Sequence, residues 1–131
     1  MATRALVCDD DMPIRRMIRD LLEERGFEVV EATNGQEALD VILKEPLDLV
    51  VLDFLMPKLD GMQVIRNVRR DPARQNLPII LLSAISKSQI LDEDKSIMPD
   101  AYVNKPFHPK KLAKLIDRLL AVRNSILHQV N

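Results

Sequence analysis

The chain has 131 residues and a mass of 15.0 kDa, with 47% apolar and 30% charged residues, the balance of a soluble globular domain and not of a disordered or membrane chain. Lys and Arg number 19 against 20 Asp and Glu, a formal net charge of −1. That argues against a strongly basic nucleic-acid module and a polybasic membrane-surface module. The single cysteine, Cys8, cannot form an intramolecular disulfide, the opening residues hold too short an apolar run for a signal peptide, and no run is long enough to span a bilayer. A cytoplasmic protein is expected.

In chain order, Ala5–Cys8 is the first short apolar run, and it predicts a strand covered on both faces. Ile14, Met17, Ile18, Leu21 and Leu22 then recur at helical spacing, with Asp11 as N-cap and Pro13 in the first turn. Phe27–Glu31 mixes apolar and polar residues and predicts an edge strand. Asn34 precedes a second helix in which Glu37 stands at capping-box distance and Ala38, Val41 and Ile42 face inward. Leu49–Leu52 and Ile79–Leu82 are two further central strands, separated by a helix that opens after Asp60-Gly61 and carries Val64, Ile65 and Val68. The stretch Ser86–Met98 is poor in apolar residues and carries Asp92, Glu93 and Asp94, with Pro99 just beyond, so a short, frayed or displaced fourth helix is expected. Ala101–Val103 predicts a second edge strand, and Pro109 to about Leu127 or His128 a long last helix. Its Lys110, Lys111, Lys114, Arg118 and Arg123 set against Asp117 read as a solvated face.

Strand–helix alternation repeated five times predicts a doubly wound, flavodoxin-like parallel sheet. With the three apolar runs central, the strand order is 2-1-3-4-5. All strands of such a sheet end on one edge, where ligands bind. The first strand runs into Asp9-Asp10-Asp11, the third into Asp53, the fourth into Ser83 and the fifth into Asn104-Lys105. Carboxylates gathered within a few ångströms repel by roughly 4 kcal/mol per pair at an effective dielectric of about 20, so either one stays protonated or a hard divalent cation neutralises them, for which Mg²⁺ fits. A carboxylate nucleophile, an acid pair, a hydroxyl and an ammonium suit phosphoryl transfer to Asp53.

These residues resemble the receiver domain of two-component response regulators over nearly the whole chain, from about Arg4 to Leu120. The motifs are Val7-Cys8-Asp9-Asp10, then Asp53-Phe54-Leu55-Met56-Pro57-Lys58-Leu59-Asp60-Gly61, then Ser83-Ala84, then Lys105-Pro106-Phe107. The resemblance implies that Asp53 is phosphorylated by a histidine kinase or phosphotransfer protein. It implies that Asp10 is a direct Mg²⁺ ligand, with Mn²⁺ as a substitute ion, and that Asp9 acts largely through water. Asp53 itself and the backbone carbonyl of Leu55 would complete the protein's ligands. Ser83, Ala84 and Lys105 would meet phosphoryl oxygens, Ser83 and Tyr102 would form the switch, and Lys105-Pro106 would be a cis peptide.

Two departures stand out. Met98-Pro99-Asp100 occupies the place where the family usually has Gly-Ala, which puts the usual signalling face of fourth helix, fifth strand and fifth helix in doubt. Leu55 and Ile85, two residues after Asp53 and Ser83, are both apolar and are expected to slow hydrolysis of the phosphoryl group. More ordinary roles compete at several positions. Asp11 reads as a cap, Cys8 as core, Tyr102 equally as edge-strand packing, and His108 and His128 as surface residues, with His108 capping the last helix.

The expected function is a phosphorylation-dependent signalling switch. The resemblance implies that residues 1–131 are one receiver domain with a core at about 4–120, acting on an unknown downstream protein or a fused effector. It is a monomer or a phosphorylation-dependent dimer that touches neither nucleic acid nor membrane directly. The alternatives are a receiver-fold interaction module indifferent to phosphorylation, and an aspartyl-phosphate phosphohydrolase. The second acid that such hydrolases often carry two residues after the nucleophile is replaced here by Leu55.

Overall fold

Three runs without a charged residue build the middle of the sheet, and their side chains leave no room for water on either face. The computed structural model describes residues 3–90 and 97–130, with residues 123–130 as helical backbone only. Strands β1 (Thr3–Cys8), β2 (Phe27–Ala32), β3 (Leu49–Asp53), β4 (Ile79–Ser83) and β5 (Ala101–Asn104) alternate with helices α1 (Met12–Glu23), α2 (Gly35–Lys44), α3 (Gly61–Arg69), α4 (Lys87–Ile90) and α5 (Pro109–Val130). The sheet is entirely parallel, in the order β2-β1-β3-β4-β5, as expected. Each strand is one or two residues longer than its apolar run. A parallel ladder continues wherever the neighbouring strand can still pair, whatever the polarity of the side chain. Asp53 and Ser83 are thereby strand residues, not loop residues.

Alternation along the central strands divides the core into two layers. Leu6, Cys8, Val50, Leu52, Ile79 and Leu81 face α2 and α3, where Ala38, Ile42, Val64, Ile65 and Val68 close the layer. Ala5, Val7, Val51, Ile80 and Leu82 face α1 and α5, meeting Ile18, Leu22, Leu112 and Ile116. Burying a Leu or Ile side chain of this kind contributes about 1.5–3 kcal/mol, and the same burial fixes the register that brings the strand ends level.

The helix starts follow local chemistry. Asp11 caps α1 by accepting from the Ile14 N–H at 3.2 Å, and Pro13 sits in the first turn. Asn34 caps α2 through the Glu37 N–H at 2.9 Å, but the Glu37 carboxylate accepts from the Thr33 N–H and hydroxyl instead of closing the box on Asn34. The reciprocal capping box belongs to α3, between Asp60 and Gln63, and Gly61 is the first residue of that helix, not part of the turn before it. His108 accepts from the Lys110 N–H at the start of α5, the expected cap, and α5 runs a little beyond the expected end.

Asp117 does not balance its neighbours on α5. It pairs with Arg25 at 2.7 Å, tying α5 to the end of α1. The described part of the fourth helix is the single turn α4, and the rest of that prediction falls on residues 91–96, outside the described residues. No described helix is long and apolar enough to cross a membrane.

Candidate functional site

Because the strands are parallel and level, the residues at and just past the ends of β1, β3, β4 and β5 meet at one edge. Asp9 and Asp10 follow β1, Asp53 ends β3, Ser83 ends β4 and Lys105 follows β5. Carboxylate oxygens of Asp9, Asp10 and Asp53 all lie within 4.8 Å of one another. Lys105 Nζ reaches Asp9 Oδ2 at 2.9 Å and Asp53 Oδ1 at 3.2 Å. The Lys105–Pro106 peptide is cis, and the Lys105 N–H donates to the Ser83 carbonyl at 2.8 Å, which carries the β4–β5 ladder into the site.

Burial is uneven across the three acids. Asp9 is fully buried, Asp53 is 6% exposed and Asp10 is exposed. Burial, reinforced by the charge of Asp9 and opposed by Lys105, pushes the Asp53 carboxyl from 3.8 up to about 6. At Lys105 burial disfavours the ammonium, but the bond to Asp9 and the charges of Asp53 and Asp9 outweigh it and hold its pKa above the ordinary value. Three carboxylates facing one ammonium leave the pocket two charges short of neutrality when all three are ionised. One hard divalent ion would supply that charge, and an all-oxygen donor set with an exposed member fits Mg²⁺, which keeps part of its water.

The neighbouring groups are arranged around this cluster. Ser83 is 3% exposed, and its Oγ accepts from the Ile85 N–H at 2.9 Å. That leaves the hydroxyl proton to be donated elsewhere. Tyr102 packs against the α2–α3 layer with its ring 5.1 Å from Lys87 Nζ. Its hydroxyl is buried and has no hydrogen-bond partner among the described residues, and burial raises its pKa. Cys8 lies under the pocket and is core, as expected. Burial first, then the charges of Asp9, Glu37 and Asp53, push its thiol up to about 12, and Sγ contacts the Asn34 carbonyl at 3.3 Å and Met56 Sδ at 3.2 Å.

The loop after Asp53 is tightly constrained. Lys58 has φ +72° and the Leu59 N–H donates to the Pro57 carbonyl at 2.9 Å, a γ-turn with its central residue in a strained region. Gly35 and Gly61 let neighbouring backbone approach. A Cβ on Gly35 would run into the Leu59 carbonyl, and one on Gly61 would stand 2.7 Å from Leu81 Cδ1 and 2.8 Å from the Asp53 carbonyl oxygen. Leu55 is 71% exposed, whereas Ile85 and Ala84 are half-buried and exposed.

Three residues, two at the sheet edge opposite the site and one beside it, are not apparent from the sequence alone. Asp100 Oδ2 accepts from the Ile79 N–H at 2.7 Å and pairs with Arg69 Nη2 at 3.0 Å, while Arg69 Nη1 also donates to the Leu77 carbonyl at 2.7 Å. The Met98-Pro99-Asp100 departure is therefore a clamp holding the segment before β5 against the start of β4, with Pro99 buried. The third residue, Arg15, donates to the Asp9 carbonyl at 2.9 Å. A polar residue immediately before an edge strand is the one visible hint of Asp100, and nothing marks Arg15 or Arg69 among the other arginines.

Comparison with known proteins gives a consistent family. The family model described as "Response regulator receiver domain" matches residues 5–117. The phosphate regulon transcriptional regulatory protein PhoB of Pseudomonas aeruginosa is 38% identical over 117 residues, covering 89% of this chain and 50% of that protein. The probable transcriptional regulator ycf27 of Pyropia yezoensis is 43% identical over 117 residues, covering 89% and 47%. The chain thus spans about half the length of these relatives. Among solved structures, the chemotaxis response regulator CheY4 of Vibrio cholerae superposes with a TM-score of 0.81 at 30% identity, covering 90% of this chain and 98% of that one. A CheY-like receiver domain protein from Methanospirillum hungatei gives 0.85 at 25% identity, covering 95% and 98%.

Proposed function

The chain belongs to the response regulator receiver domain family, and on that premise we propose that it is a phosphorylation-dependent switch whose phosphoacceptor is Asp53. The observation that carries the reading is the placement of a nearly buried Asp53 within 4.8 Å of Asp9 and Asp10 and in contact with Lys105 at 3.2 Å. The donor is a phosphohistidine of a kinase or phosphotransfer protein. An Asp53 carboxylate oxygen attacks phosphorus, the P–N bond breaks, and the histidine nitrogen keeps the electron pair and takes up a proton.

Asp9, Asp10, Asp53 and the Leu55 carbonyl would hold Mg²⁺, which when bound would offset the negative charge of the phosphoryl oxygens. The protein's own groups do the rest. Lys105, shared between Asp9 and Asp53, supplies the second cation, and the Ser83 hydroxyl donates its uncommitted proton, with the Ala84 backbone beside it. Phosphorylation adds about −1.5 to −2 charge, which redistributes Lys105 and draws Ser83 toward the phosphoryl group. A buried hydroxyl without a partner costs about 1–3 kcal/mol, and that of Tyr102 has none among the described residues, so Tyr102 is placed to change position when that neighbourhood rearranges. The output is a changed partner surface, read by a downstream protein or a fused effector domain.

Incubation with Mg²⁺ and a small phosphodonor, followed by intact mass, tests the reading. One phosphoryl adduct that is absent in Asp53→Asn and absent without divalent ion is expected. No adduct from either the small donor or a cognate kinase would replace the switch with a passive interaction module, and many turnovers per chain would make it a phosphohydrolase.

A further inference from the structure

We propose that Arg15 is a positioning residue for the acidic pocket, fixing the Asp9–Asp10 peptide so that both acids stay in place for Mg²⁺; the inference rests on the metal-binding part of the function proposed above. Asp9 is fully buried, so each of its polar atoms must find a partner inside the protein. Its N–H donates to the Ala32 carbonyl at 3.3 Å, Oδ1 accepts from the Asp11 N–H at 2.9 Å, and Oδ2 accepts from Lys105 at 2.9 Å. The Asp9 carbonyl accepts from Arg15 Nη1 at 2.9 Å. That carbonyl shares a peptide plane with the nitrogen of Asp10, so the guanidinium is the group that sets how the chain enters the second acid.

The guanidinium is itself held. Arg15 is 12% exposed and its Nε donates to Glu31 Oε1 at 2.9 Å. Glu31, on β2, also receives Arg19 Nη1 at 2.8 Å, and Arg19 Nε lies 3.1 Å from Glu23. Burial would raise the Glu31 pKa, but the bonds from Arg19 and Arg15 win and hold it below the ordinary value. Glu31 therefore stays charged, neutralises Arg15 and fixes the plane of its fork. A side chain acting as a point charge would need no such orientation, and two directed bonds from one planar group are what an arginine provides and a lysine does not.

The alternative role, a nearby cation and nothing more, makes the opposite prediction. A positive charge beside a cation site weakens cation binding, so its removal would tighten Mg²⁺. Loss of a group that orients metal ligands typically weakens affinity by about 10–100-fold. Isothermal titration of Mg²⁺ into the wild type, Arg15→Gln and Arg15→Lys, with Asp10→Asn as the site control, separates the two. The expected result is a drop of about 10-fold or more in both Arg15 variants, because lysine keeps the charge and loses the fork. Unchanged or tighter binding in Arg15→Gln, or wild-type affinity in Arg15→Lys, overturns the proposal.

A second readout needs no metal. Amide hydrogen exchange at Asp11, whose N–H is bound by Asp9 Oδ1, should accelerate in both variants without Mg²⁺, and unaltered exchange also counts against the role. If the wild type takes up no Mg²⁺, the metal-binding part of the proposed function fails while the exchange measurement still judges Arg15. Should Arg15→Gln not fold, Arg15→Lys decides. If neither folds, Arg15 supports the whole domain and not the pocket, and the proposal is overturned.

Discussion

Replacing Asp53 by Asn should make the metal-free protein more stable at neutral and mildly alkaline pH. In the folded state burial and the charge of Asp9 raise this carboxyl from 3.8 to about 6. The charged form is therefore disfavoured relative to the unfolded chain by roughly 3 kcal/mol, taking about 1.4 kcal/mol per pH unit. For an acid whose pKa is raised by folding, the folded state binds more protons than the unfolded one between the two values, so stability falls as pH rises through that window. The penalty is fully present above about pH 6 and absent below about pH 4. Asn has the same shape and no charge, and Lys105 keeps its bond to Asp9 at 2.9 Å.

Urea titration in the presence of a chelator should show Asp53→Asn more stable than wild type by about 1–3 kcal/mol at pH 8, with the difference shrinking toward pH 4. Mg²⁺ should remove most of that difference, because an ion at 100 times its Kd stabilises the protein that binds it by about 2.7 kcal/mol. A variant no more stable at pH 8, or a gain of equal size at both pH values, would refute the account of Asp53 as a buried, electrostatically strained acid.

The remaining predictions concern the surroundings of that carboxylate and the clamp at the opposite edge of the sheet. Leu55→Asn, at an exposed position two residues after Asp53, should speed loss of the phosphoryl group several-fold by letting water be oriented there, measured as decay of the adduct by intact mass; an unchanged rate counts against an apolar barrier. Gly61→Ala should destabilise the fold by roughly 2 kcal/mol or more and also reduce phosphorylation, since its Cβ would press on the Asp53 carbonyl and Leu81, read by thermal melt and adduct yield together. Asp100→Ala should cost about 1–3 kcal/mol by leaving the Ile79 N–H and the 10%-exposed Arg69 without their shared partner; a melt within error of wild type would remove the clamp from the account.

What was legible in the sequence followed from periodicity and from position along a strand. Asp53 and Ser83 could be found because each directly follows four apolar residues, and a parallel sheet brings such ends together whatever their separation in the chain. The strand order came from the contrast between the clean runs at 49–52 and 79–82 and the mixed runs at 27–31 and 101–103. Cap residues Asp11 and Asn34 were visible because capping is local. The capping box at Asp60 and Gln63 was not, because Asp60-Gly61 reads equally well as a turn, and only the close approach of Gly61 to the Asp53 carbonyl shows why glycine opens the helix. Arg69, Asp100, Arg15 and Glu31 act through partners 16 to 31 positions away or through backbone carbonyls. Such pairs depend on register between elements, which no single segment encodes.

The distribution of unfavourable features across the fold adds to the functional reading. A raised Asp53, a Tyr102 hydroxyl without a partner among the described residues and a γ-turn at Lys58 gather toward the edge where the strands end. At the edge where the strands begin, Arg74 donates to the Ile42 carbonyl at 2.6 Å and the Leu43 carbonyl at 3.0 Å at the end of α2, and the Arg4 N–H donates to Asp48 at 2.8 Å, while Arg4 Nε and Glu45 Oε2 are buried there without a hydrogen-bond partner among the described residues. Departures from local optimality concentrate where a protein must act. A site already short of two positive charges changes most when a cation and a phosphoryl group arrive.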